Sequence, residues 1–262
     1  MRNGLAHRVR LSFTLIWLAI GAVFAYLLAA QSPELQQKVA EIKQAAAANK
    51  QALAQYTWVE QDTISLKGEQ KKQEHFQVRL GPDGKPQKTP LDAAPAPAAP
   101  SGGRLKQHVV EKKKEEYKDY ADQIKALIQQ YLPPDKEALE QARQKGNIAL
   151  GTVAGAQGQY QAVISNYVKQ GDKMTLVMDG AQKNLVRLSI ATFLDDPKDA
   201  VTVDAEFSPI PGGPNHVSSE TINGVSKQLT ITVQNNNYQK LMGSPANYQL
   251  ESPGQMDPVP SE

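Results

Sequence analysis

The 262-residue chain contains no cysteine, which excludes disulfides, thiol catalysis, thiolate-bound zinc, iron–sulfur clusters and a lipid-modified N-terminal cysteine. Catalytic signatures are missing as well: there is no GxSxG elbow, HExxH pair, Walker A loop or GxGxxG turn. The four histidines, His7, His75, His108 and His216, are scattered. His75 falls on the polar side of an alternating segment and reads as solvated. Asp195, Asp196 and Asp199 cluster where a turn is expected, and aspartate caps turn N–H groups. No catalytic residue, metal ligand or cofactor is therefore expected. An excess of one charge is also lacking beyond the first 30 residues, where 26 Lys and Arg stand against 27 Asp and Glu. Nucleic-acid binders carry a basic excess on one face, so no nucleic-acid partner is expected.

What is present begins with a charge asymmetry. Arg2, Arg8 and Arg10 precede residues 11–30, LSFTLIWLAIGAVFAYLLAA, which carry no charge. A basic flank before an apolar run is an export signal that leaves the positive end in the cytoplasm. The run is long for a signal peptide and about the ~20 residues that span a bilayer. Two readings follow for residues 1–30: a signal peptide cleaved after Ala25 or Ala30, or an uncleaved anchor in the inner membrane. Both place the body in the periplasm, with membrane contact through residues 11–30. An exported chain without disulfides must hold its fold by core burial alone.

Ser32-Pro33-Glu34 has helix-start chemistry, and Leu35, Val39, Ile42, Ala46 and Leu53 follow at helical spacing, predicting an amphipathic helix over 33–55. Residues 56–67 and 73–80 then read as a hairpin, closed by Gly81-Pro82-Asp83-Gly84. Residues 84–104, with the core DAAPAPAAPSGG, read as an extended Pro/Ala-rich loop. A second helix is expected over 106–131, with Val110, Tyr117, Ala121, Ile124, Ile128 and Tyr131 on one face. Its segment EKKKEE, residues 111–116, reads as a solvated face with i,i+4 pairs. Pro133-Pro134-Asp135 breaks that helix and starts a short third one that ends near Gly146.

Strands are expected at Tyr160–Val168, Lys173–Asp179, Leu185–Leu194, Val201–Phe207 and Gln228–Gln234. The first four are joined by short connections, as in a meander of antiparallel hairpins. Residues 208–215, SPIPGGPN, read as a longer turn. Residues 244–262 hold four prolines and no periodicity, and read as a disordered tail. The strands alternate, with one dry face and one wet face. A dry face needs a cover, and the three helices are the available one. The predicted fold is α+β: a large curved antiparallel sheet, an unclosed β-barrel, covered on its inner face by helices, in a single domain over 31–243. If the space under the helices holds a ligand, its lining is Phe76, Val78, Leu80, Met174, Leu176, Met178, Leu188, Ile190, Val203, Phe207, Leu229, Ile231 and Val233. Tyr56 and Trp58 read as core anchors.

This order of elements resembles the LolA/LolB-like superfamily of exported envelope proteins, which includes lipoprotein-sorting-like and RseB/MucB-type members. The resemblance spans roughly residues 33–242. It is strongest to uncharacterised exported members with segments like YTWVEQDTISLKGE and FQVRLGPDGKPQKT, a helix like EKKKEEYKDYADQIKALIQQY and a closing KQLTITVQNNNYQKL. The resemblance implies a non-catalytic fold whose space between sheet and helices takes an acyl chain, a lipoprotein or an apolar protein segment. A strand arginine matters in the lipoprotein carriers. Arg79 and Arg187 are the strand arginines here, and neither aligns with it. The Pro/Ala-rich loop departs from the carriers. Two functions stand beside each other: binding of an apolar ligand such as a lipid or lipoprotein, or a packed interaction module for other envelope proteins. An enzyme would require two titratable groups converging in a cleft.

Overall fold

The computed structural model describes residues 33–92 and 104–241. The expected export segment and C-terminal tail lie outside the described residues, as does the centre of the Pro/Ala-rich stretch. The elements run α1 (Pro33–Leu53), β1 (Tyr56–Leu66), β2 (Glu69–Leu80), β3 (Pro86–Pro90), α2 (Arg104–Ile128), α3 (Lys136–Gln144), β4 (Ile148–Thr152), β5 (Gln159–Ser165), β6 (Lys173–Asp179), β7 (Asn184–Phe193), β8 (Ala200–Pro209), β9 (Asn215–Gly224) and β10 (Leu229–Lys240).

All ten strands form one antiparallel sheet in the order β3-β2-β1-β10-β9-β8-β7-β6-β5-β4. Two meanders, β1–β3 and β4–β10, are joined through the β1–β10 pair. The edges β3 and β4 do not pair with each other, so the sheet stays open. The chain passes from one edge to the other through α2 and α3. Bulges between Thr57 and Val59, Ile64 and Ser65, Val177 and Met178, and Glu206 and Phe207 add local bend and twist to this sheet. The expected curved sheet under helices is what the chain forms.

The main core fills the space between the sheet and two helices. Tyr120, Ala121, Ile124, Leu127 and Ile128 of α2, with Leu139 and Ala142 of α3, pack on inward side chains of β5–β10. Contact at Gly224 is close: a Cβ there would lie 2.6 Å from Ile124 and 2.7 Å from Tyr120. The helix thus seats on bare backbone at β9. Asp135 caps α3 by accepting a hydrogen bond from the Ala138 amide at 2.8 Å.

Asp172 organises the turn before β6. Its buried carboxylate accepts from the amides of Tyr167, Val168 and Lys169 and from the Tyr131 hydroxyl at 2.6 Å.

Three strands depart from the sequence expectation. The first five residues after Lys85 are not loop: Pro86–Pro90 form the edge strand β3, where proline is tolerated because the outward N–H has no ladder partner to lose. β4 and β9 add two further strands. The cover is also narrower than expected, since no described side chain of α1 enters the main core. This helix instead meets the ends of strands. Asn49 exchanges two hydrogen bonds with the Asn215 backbone, at 2.6 and 2.8 Å, and Glu41 pairs with Lys183 at 2.6 Å.

Candidate functional site

The stripe on α2 is continuous in sequence but not in burial. From Tyr120 onward it is packed, with Ile124 and Ile128 fully buried. Toward the helix start it overhangs the sheet: Tyr117 is half-buried and Val110 is 44% exposed. A groove of about 720 Å3 opens beneath this overhang, within the ~300–1,000 Å3 usual for ligand clefts. Its floor is Ile64 and Leu66 of β1 with Leu229 and Ile231 of β10, which face each other directly in the ladder. Its helical wall is Val110, Tyr117 and Ala121.

The rim is basic. Lys113, Lys114 and Lys118 project from α2, and Lys71 and Lys72 from β2 on the opposite side. Lys71 pairs with Glu69, and Lys72 with Glu74 at 2.7 Å. The three helical lysines have no ion-pair partner among the described residues. Residues 111–116 are exposed, as expected, but no ion pair forms among them, and Lys113 and Lys114 also line the groove.

Farther along β1, the same face carries a buried polar cluster. Glu60 is fully buried and Asp62 nearly so. Lys88 reaches from β3 to ion-pair with Glu60 and lies 3.4 Å from Asp62, passing 5.3 Å from the Phe76 ring centre. Val233 separates Asp62 from buried Glu220 across the ladder. Burial pushes the Glu60 carboxyl up to about 7, against the pull of Lys88. Burial lowers the pKa of His216, whose ring stacks 4.0 Å from Tyr238. Burial and the Glu60 charge together raise that of the Tyr238 hydroxyl. The cluster sits outside the groove lining, with the Glu60 side chain fully buried and those of Lys88 and Asp62 9% and 11% exposed. No group of three or more His, Asp or Glu side chains suited to a metal ion occurs among the described residues.

The structure divides the expected lining among several places. Leu229 and Ile231 belong to the main core, 4% and 1% exposed, and also border the groove at its base. Met174, Leu176, Met178, Leu188, Ile190 and Val203 are packed into the main core, with Phe207 half-buried against it. Phe76 and Val78 form a second cluster with Trp58, flanked by Leu80 and Tyr238. Val233 is buried between the two acids. Ile64, Leu66 and the five lysines were not foreseen as lining, although Lys114 and Lys118 share the helical spacing of Val110, Tyr117 and Ala121.

Other polar residues take structural partners. His75 keeps a partly exposed side chain, as expected, and hydrogen-bonds Asp92 at 3.0 Å and Gln61 at 3.2 Å. Asp199 accepts from the Tyr120 hydroxyl at 2.7 Å, and Asp196 caps the Lys198 amide. Arg79 and Arg187 are exposed, the latter paired with Glu206 at 2.8 Å.

The fold and groove define an α+β protein with an open ten-stranded antiparallel sheet and a partly helix-covered inner face. No protein-family model and no curated protein matches the chain. Among solved structures it is similar to a LolA superfamily protein from Nitrosomonas europaea. That match covers 87% of this chain and 95% of the other at 8% identity, with a TM-score of 0.33. A likeness this weak says nothing about ligand or activity.

Proposed function

We propose that this chain is a non-catalytic protein of the bacterial cell envelope that holds an apolar chain, an acyl chain or an apolar segment of a partner, in the groove between α2 and the β1–β10 ladder. The supporting observation is the groove itself: seven apolar side chains line about 720 Å3 of open space beside a core that is otherwise packed. Hydrocarbon placed there removes Val110, Ile64 and Leu66 from water, the driving force for apolar binding.

Filling the groove provides the test. Val110→Trp places an indole over the floor from an already exposed position. Binding of an apolar fluorescent probe should fall at least tenfold while the melting temperature stays within about 2 °C, as is usual for surface substitutions. Failure of the wild-type protein to bind the probe, or unchanged binding by the variant, overturns the reading.

The envelope location rests on the basic flank and uncharged residues 11–30. Among the described residues no helix is long and apolar enough to cross a membrane. A reporter that works only in the cytoplasm, fused to the C-terminus, should be inactive. An active fusion refutes export.

The packed core under α2 and α3 favours a second reading, an interaction module for other envelope proteins. It predicts no probe binding.

A further inference from the structure

We propose that the occupant of the groove is an anionic amphiphile: a single-chain lipid whose hydrocarbon lies on the Ile64–Ile231 floor and whose phosphate group sits among the rim lysines. This rests on the groove being a ligand site and adds the class of ligand. The lining contains five lysines and no carboxylate, whereas beyond residue 30 the chain as a whole is nearly neutral. Lys71 and Lys72 are paired with Glu69 and Glu74, so the charge open to a ligand is that of Lys113, Lys114 and Lys118.

On α2, Lys114 and Lys118 are like charges at i,i+4, a mildly destabilising spacing, and Lys113 lines the groove beside them, while Glu111, Glu115 and Glu116 stand three residues from Lys114, Lys118 and Lys113. None of the three has an ion-pair partner among the described residues. Lysine suits an amphiphile because its methylene stem can lie on apolar surface while the ammonium stays in water at the rim. The order apolar floor, stem, ammonium matches hydrocarbon tail, linker, phosphate.

Backbone accounting favours lipid over an acidic peptide. β1 is paired on both sides, by β2 and β10, and β10 by β1 and β9. The groove floor thus offers no free main-chain edge, and the N–H and C=O groups of an extended peptide lying there would lose water without gaining partners. A hydrocarbon chain has no such groups to satisfy.

The test uses the full chain and displacement of an apolar fluorescent probe by two ligands with the same chain, 1-lauroyl lysophosphatidate and 1-monolaurin, each below its micelle concentration. Lysophosphatidate should bind about tenfold more tightly than monolaurin, the sum expected of a few exposed charge contacts. The preference should shrink as salt is raised. In the triple variant K113Q/K114Q/K118Q the two affinities should converge, while a control variant at exposed Lys136 of α3 keeps the preference.

Equal binding of both ligands by the wild type overturns the anionic inference and leaves the groove reading standing. Displacement by neither overturns both. Inorganic phosphate that displaces the probe as well as lysophosphatidate, or an acidic apolar peptide that outcompetes it, also overturns the lipid assignment.

Discussion

Glu60 shows how one buried side chain ties the fold to pH. Its carboxyl is pushed up to about 7 from an ordinary 4.5, chiefly by desolvation, with the charge of Asp62 adding to the rise and Lys88 opposing it. Between those values the native state holds a proton that the unfolded chain has released. Linkage then makes this contribution full below about pH 4.5 and lost as pH rises through 7. Buried His216 acts in the opposite sense: its lowered pKa gives stability that is present above about 6.5 and lost on acidification. Glu60→Gln removes the first slope and leaves the second. The melting temperature of wild type, followed from about pH 5 to 7.5, should therefore fall relative to that of the variant. Parallel curves would mean that Glu60 is ionised throughout.

At the scale of elements, strands with an apolar inner face were legible and strands without one were not. β6 carries Met174, Leu176 and Met178 inward, and β8 carries Val201, Val203 and Ala205, so alternation alone gives their position and facing. β9 places His216, Glu220, Ile222 and Gly224 among its buried positions. With a histidine, a glutamate and a glycine inside, its alternation disappears, although β8 and β10 flank it in the sheet. β4 is an exposed edge strand of five residues with no dry face to announce it, and β3 begins and ends with proline. The groove was half legible. The helical stripe and the alternation of β10 both appear in the sequence, and Leu229 and Ile231 follow from the second. What cannot be read locally is that α2 packs only from Tyr120 onward. That depends on its seat at Gly224, a contact between residues about 100 positions apart.

On the scale of the whole molecule, the inner face is divided into a packed compartment and an open one, and this division separates carrier from solid scaffold. Met178 belongs to the packed compartment. It is 3% exposed, in the same cluster as Leu176, Leu185 and the side chains of α2 and α3. Met178→Trp has no empty space to enter, so overpacking should cost about 1–3 kcal/mol. For a domain this size that lowers the melting temperature by roughly 2–12 °C. Probe binding in the groove should persist in the folded variant, because Met178 is not part of its lining. Val110→Trp should show the reverse, lost binding with little change in melting temperature. If Met178→Trp is thermally neutral and abolishes probe binding instead, the ligand space extends along the sheet to β6 and the compartments are one. If both variants are destabilised and the wild type binds no probe, the inner face is packed from end to end and the molecule is a scaffold.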